Sequence, residues 1–120
     1  MPTVLLVEND SLCRADITEI LEEHGFVVEG FATGGEAFER LEARERNPDV
    51  ILLDLFTPGI DGKGFRRLQS GHPRLCNIPV ILMSGAPDLD REARQMQVAG
   101  RLHKPFNLDA LLTLLQRLAG

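Results

Sequence analysis

Cysteine is scarce in this chain: Cys13 and Cys76 are the only two among 120 residues, too few for a disulfide framework, which makes a reducing cytoplasm the default compartment. Long apolar runs are missing too. No stretch approaches the ~20 residues that a membrane-spanning helix needs, and the start, Met-Pro-Thr-Val-Leu-Leu-Val-Glu, lacks the basic region and cleavage signal of a secretory leader. No membrane partner is expected. Positive charge is in deficit, with 13 Lys and Arg against 18 Asp and Glu for a net charge of −5, and Arg66-Arg67 is only a local pair. A nucleic-acid surface needs clustered cations, so direct nucleic-acid binding is not expected either. Internal repeats, low-complexity tracts and linkers are absent, and residues 1–120 fit one domain large enough to bury a core without metal or disulfide staples.

What is present is organised around Asp49 to Gly62. Val50-Ile51-Leu52-Leu53 is an uninterrupted apolar run between an Asn-Pro-Asp signal and a Pro-Gly signal, too short for a helix and suited to a strand buried on both faces. Asp54 then stands at its carboxyl end. In an open parallel α/β sheet ligands bind beyond the carboxyl ends of the strands, so Asp54 is a candidate chemical group; the plainer alternative is that it caps a turn.

The same pattern recurs along the chain. Thr3 to Val7 reads as a strand ending in Glu8-Asn9-Asp10, and Cys13, Ile17, Ile20, Leu21 and His24 fall at helical spacing before Gly25, a helix-stop signal. Phe26 to Phe31 reads as a strand, and Thr33-Gly-Gly-Glu36 as a capping box opening a helix with Ala37, Phe38 and Leu41 inward. After Asp54, Gly62-Lys-Gly-Phe65 opens a short helix with Phe65 and Leu68 apolar. Gly62 and Gly64 make no dinucleotide loop, since a third glycine and a directly preceding strand are lacking. Pro79 to Met83 is a further strand ending in Ser84-Gly85. Asp88 to Gln97 is a polar helix with Leu89, Ala93 and Met96 on its apolar stripe, and Arg101 to His103 is a weak strand before Lys104-Pro105-Phe106. Asn107 caps a last helix whose buried face is drawn by Leu108, Leu111, Leu112, Leu115 and Leu118. Five strand–helix units predict an α/β fold, a parallel sheet with right-handed crossovers and helices on both faces.

Such a sheet brings Glu8, Asn9, Asp54, Ser84 and Lys104 to one edge. Taken singly, Glu8 and Asp10 fit a solvated loop and a helix start, and Lys104 an ordinary surface charge. In order along the chain they carry four motifs, Leu-Leu-Val-Glu-Asn-Asp-Ser-x-x-Arg14, Asp-Val-Ile-Leu-Leu-Asp54-Leu-x-x-Pro-Gly-x-Asp-Gly62, Ile-Pro-Val-Ile-x-x-Ser84-Gly and Lys104-Pro105-Phe106. With these motifs the chain resembles, over nearly its full length, the receiver domain of two-component response regulators.

The resemblance implies a flavodoxin-like, doubly wound sheet of strand order 2-1-3-4-5. It implies a signalling switch rather than an enzyme with an external substrate: Asp54 as phosphoacceptor, a sensor histidine kinase or phosphotransfer protein as donor, and Mg²⁺ as cofactor. Mg²⁺ would be held by Asp54, Asn9, the Phe56 carbonyl and, through water, Glu8. Lys104 and Ser84 would meet the phosphoryl oxygens, a cis Lys104–Pro105 bond would aim the lysine, and the surface of the fourth helix, last strand and last helix would respond. The apolar arc of the last helix, widened by Leu114, offers a homodimer surface.

Two departures stand out: Asn9 replaces the second of two adjacent acids, and Arg101 falls where the family usually has a switch aromatic. The resemblance therefore leaves open a pseudo-receiver, a protein-interaction module that works without phosphorylation. Haloacid-dehalogenase-type phosphatases need a second Asp two residues after the first, where this chain has Phe56. An FMN-binding flavodoxin needs a Ser/Thr/Gly-rich phosphate loop, which Glu8-Asn9-Asp10 is not. His24, His72 and His103 lack metal-ligand spacing.

Overall fold

The computed structural model describes residues 2–119. Five strands alternate with five helices: β1 Thr3–Val7, α1 Ser11–Glu23, β2 Val27–Phe31, α2 Gly34–Ala43, β3 Val50–Asp54, α3 Gly62–Ser70, β4 Val80–Ser84, α4 Leu89–Met96, β5 Gly100–His103 and α5 Leu108–Ala119. The strands form one parallel sheet in the order β2-β1-β3-β4-β5, as expected for a doubly wound α/β fold.

Side-chain alternation splits the core into two layers. Leu5, Val7, Ile51, Leu53 and Leu82 point to one face, where Ala37 and Leu41 of α2, Phe65 of α3 and Leu89 and Ala93 of α4 cover them. Val4, Leu6, Leu52, Ile81 and Met83 point to the other, beneath Ile17 and Leu21 of α1 and Leu111 and Leu115 of α5. β3 and β4 are buried at every position, which is why they read as continuous apolar runs rather than alternating ones.

The helix starts were well marked in the sequence. Asp10 accepts the amides of Leu12 and Cys13 at 3.0 Å each, and Thr33 Oγ1 accepts the Glu36 amide at 3.2 Å while its hydroxyl donates to the Glu36 carboxylate. Asn107 Oδ1 accepts the Ala110 amide at 2.7 Å. At the C-terminal end of α1, Gly25 takes φ +90°, the left-handed conformation that favours glycine.

Two apolar assignments shift. Leu68 is 44% exposed, because the buried stripe of α3 runs through Gly62, Phe65 and Gln69 instead. Leu108 is 37% exposed although Leu111 and Leu115 on the same helix are buried. A helical side chain leans toward the N-terminus, so a first-turn residue reaches past the start of its own helix.

Candidate functional site

The register sets the site's geometry. Val7 of β1 pairs with Leu53, Asp54 of β3 with Met83, and Ser84 of β4 with His103, so Glu8, Asp54, Ser84 and Lys104 all emerge at the same end of the sheet. The sheet thus brings together residues up to 96 positions apart in sequence, the separation of Glu8 and Lys104.

Lys104 is the hub. Its Nζ donates to Glu8 Oε1 in a short charged contact and to Asp54 Oδ2 at 3.0 Å. The lysine backbone is fixed by its amide, which donates to the Ser84 carbonyl at 2.9 Å, and the Lys104–Pro105 peptide is cis. Glu8 is 1% exposed and Asp54 7%, so both carboxylates are largely dry and each depends on its partners. The Asp10 amide donates to Glu8 Oε2 at 3.2 Å, the Phe56 amide donates to Asp54 Oδ1 at 3.1 Å, and Arg14 Nη1 anchors the β1–α1 loop on the Glu8 carbonyl at 2.7 Å.

These contacts separate the two acids. Burial alone would raise the pKa of Glu8, but the hydrogen bonds from Lys104, from Asp54 and from the Asp10 amide bring it below its ordinary value. Asp54 moves the other way. Burial, and then its contact with Glu8, raise its pKa more than the Phe56 amide and Lys104 lower it. For Lys104, burial opposes the charge, yet the two carboxylates hold the ammonium pKa above normal. Cys13 joins the same pocket, its Sγ donating to Glu8 Oε1 at 3.4 Å, and burial together with the Glu8 charge pushes the thiol up to about 11.

Ser84 is 1% exposed, and its hydroxyl oxygen accepts the Ala86 amide of its own loop at 3.0 Å. The loop after β3 is equally tight: Thr57 Oγ1 donates to the Ile60 carbonyl at 2.6 Å, and the Gly62 amide donates to the Leu55 carbonyl at 2.9 Å. A Cβ on Gly62 would lie 2.9 Å from Leu55 Cα, and one on Gly34 would lie 2.7 Å from the Ile60 carbonyl oxygen, so this loop is clamped between two glycines. Phe56 itself stands outside, 66% exposed at the mouth of the site.

This arrangement and its motifs match a known plan. A profile of the response regulator receiver domain fits residues 4–116. The chain belongs to the response regulator receiver family. It is 34% identical over 117 residues to the DNA-binding transcriptional regulator NtrC of Escherichia coli (strain K12), a match covering 95% of this chain and 24% of NtrC. The chain thus spans about a quarter of the length of that relative. Among solved structures it superposes on the chemotaxis protein CheY4 of Vibrio cholerae with a TM-score of 0.87 at 28% identity, covering 98% of both chains. It also superposes on the receiver domain of sensor histidine kinase PA1611 of Pseudomonas aeruginosa PAO1, described with a magnesium ion coordinated in the active-site cleft. That TM-score is 0.83 at 29% identity, covering 98% of this chain and 96% of the other.

Within the receiver plan, the described residues depart where the sequence does. Among them no three His, Cys, Asp or Glu side chains group closely enough to hold a metal ion, because Asn9 is exposed and amidic and Asp10 is spent on the start of α1. The remaining donors are two carboxylates, a neutral amide oxygen and backbone carbonyls. An all-oxygen set with one or two carboxylates is what Mg²⁺ takes when it keeps several waters, so the residues present fit that ion. No described helix is long and apolar enough to cross a membrane. Leu114, which widens the apolar arc of α5, is half-buried and lies toward Gly100 of its own chain, where a Cβ would meet its Cδ2 at 3.1 Å.

Sequence reading missed the parts made by distant contacts. Arg101 and His103 both reach Asp90 of α4, and Cys13 turns toward Glu8. Only the i, i+5 placement of Cys13 after a strand end hinted at the latter.

Proposed function

We propose that this receiver domain takes a phosphoryl group onto Asp54 from a phosphohistidine of a sensor histidine kinase or phosphotransfer protein. The observation that carries this reading is the convergence of Lys104 Nζ on Asp54 and Glu8 with the Ser84 hydroxyl one strand away. In the transfer an oxygen of the Asp54 carboxylate bonds to phosphorus as the phosphorus–nitrogen bond to imidazole breaks, and the departing imidazole takes a proton from solvent.

The transition state is loose, with charge spread over three equatorial oxygens, and catalysis is mostly positioning and electrostatics. The Phe56 amide holds one oxygen of Asp54 and so leaves Oδ2 to react. Lys104 transfers its charge from the two carboxylates to the phosphoryl oxygens, and Ser84 turns its hydroxyl from the Ala86 amide to another of them. Glu8, Asn9, Asp54 and the Phe56 carbonyl would hold Mg²⁺, which when bound supplies further positive charge to the phosphoryl oxygens. Movement of Ser84 and Lys104 is then felt in the elements they lead into, α4, β5 and α5.

Incubation with acetyl phosphate and Mg²⁺ tests this. The expected product is the protein carrying a single hydroxylamine-labile phosphoryl group, abolished by Asp54→Asn. Asn9, which withholds one acid from the metal, favours the second reading, a phosphorylation-independent interaction module. A protein that stays unmodified at saturating acetyl phosphate and Mg²⁺ would establish that second reading over the first.

A further inference from the structure

Outside the site, α4 and β5 are joined by a separate set of charges. Oδ1 of Asp90, in the first turn of α4, is shared by two side chains of β5: Arg101 Nε donates to it in a short ion pair, and His103 Nε2 lies 3.2 Å away. Asp90 follows Ser84 by six residues, and Arg101 and His103 precede Lys104 by three and one. His103 also pairs directly with Ser84 in the sheet. Each side of the contact is therefore tethered by a short piece of chain to a residue proposed to meet the phosphoryl group.

Leu89 fixes the buried side of α4, but on its exposed side the first turn lacks a side-chain cap. Asp88 at its N-cap makes no side-chain capping hydrogen bond and pairs instead with Arg91 at 2.6 Å. Ser84 is engaged with its own loop and Lys104 with the two carboxylates, so hydroxyl, lysine and the Asp90 contact belong to one arrangement.

We propose that Asp90 is a positioning residue that clasps α4 to β5 through Arg101 and His103 in the unphosphorylated protein, and that the clasp opens as Ser84 and Lys104 turn toward a phosphoryl group on Asp54. This rests on the reading of Asp54 given above. The side chains of Asp90, Arg101 and His103 are 51%, 52% and 54% exposed, and exposed ion pairs are weak. Weakness suits the role, since a clasp that phosphorylation can open must not outweigh the contacts a phosphoryl group brings.

The test is titration with beryllofluoride, a phosphoryl mimic, in the presence of Mg²⁺. Asp90→Asn and Arg101→Gln should each tighten mimic binding about two- to fivefold, the span allowed by an exposed ion pair. The double variant should gain no more than the stronger single one, because both remove the same contact. Asp90→Glu should stay near the parent, and amide exchange of residues 85–92 in the free protein should quicken in Asp90→Asn. Unchanged affinities in the single variants, or gains that multiply in the double one, would overturn the clasp while leaving Asp54 in place. If the parent takes up neither the mimic nor a phosphoryl group, the reading of Asp54 fails and the clasp with it.

Discussion

Asn9 and Asp54 are the residues whose environments make the sharpest demands. With Glu8 and Asp54 as its carboxylates, the site has less attraction for a divalent cation than three acids would give, and charges a few ångströms apart interact by roughly 1–4 kcal/mol at effective dielectrics between water and protein surface. Asn9→Asp should accordingly tighten Mg²⁺ binding several-fold in a direct titration and lower the stability of the metal-free protein at low salt. Asp10→Ala should leave the metal affinity alone and cost about 1 kcal/mol through the lost helix cap. Equal Mg²⁺ affinities for the parent and Asn9→Asp would put Asn9 outside the metal site. Asp54 makes a second demand. Its raised pKa means that the folded protein holds the Asp54 proton more tightly than the unfolded chain, so ionisation costs stability as pH rises through the interval from about 3.9, the unfolded value, to the folded one. Asp54→Asn should therefore raise the melting temperature at pH 7, with the gain vanishing as the pH falls below that interval. A variant less stable than the parent at pH 7 would contradict the direction assigned to Asp54. The sequence marked both residues through their positions after apolar runs. It did not show that Lys104 is shared between Glu8 and Asp54, because that contact joins residues 96 apart and depends on the strand order.

At the scale of elements, α3 shows what periodicity can and cannot carry. Its stripe is readable at Phe65, but in the sequence Leu68 has equal standing as an apolar position and Gln69 reads as an ordinary polar one. In the structure Gln69 is fully buried: Nε2 donates to the carbonyls of Leu75 and Ile78 at 3.0 Å each, and Oε1 accepts from Arg66 at 2.9 Å. A polar residue is welcome inside because the irregular segment before β4 has backbone carbonyls that no strand or helix satisfies. Gln69→Leu, of similar size, should leave the Ile78 carbonyl unpaired and the Leu75 carbonyl with only the Ile78 amide at 3.2 Å, and destabilise the protein by about 1–3 kcal/mol in denaturant unfolding. A loss below about 0.5 kcal/mol would mean that water replaces the amide. The neighbouring loops are pinned in the same manner. Arg74 donates to Asn47 Oδ1 at 2.7 Å and to the Leu41 carbonyl at 2.6 Å, and Asn47 returns a bond to the Arg74 carbonyl at 2.8 Å. Such interlocks between loops join positions 27 to 33 residues apart and leave no local pattern to read. The strands were legible because β3 and β4 are buried throughout, whereas β5, with only Leu102 buried, gave the faint signal its short mixed sequence suggests.

For the whole molecule, the fold turns a linear order of motifs into one site. Parallel strands with right-handed crossovers must place all carboxyl ends on one edge, so five strand–helix units in the sequence suffice to gather Glu8, Asp54, Ser84 and Lys104 there. Charge is distributed unevenly over the same frame. Residues 1–49 carry 12 acids against 4 Lys and Arg, and residues 50–120 carry 6 against 9. The sheet order sets β2, from the acidic half, at one edge and β5, from the basic half, at the other. The site lies between them, its two buried carboxylates from β1 and β3 answered by the lysine after β5. The proposed function turns on Asp54 as the phosphoacceptor. The most direct measurement is to phosphorylate the protein with acetyl phosphate and Mg²⁺, reduce the acyl phosphate with borohydride, and map the reduced residue by peptide mass spectrometry. The account predicts reduction of the side chain at position 54 alone. Reduction at Glu8 or Asp10, or a phosphoryl group that survives hydroxylamine and borohydride, would contradict it.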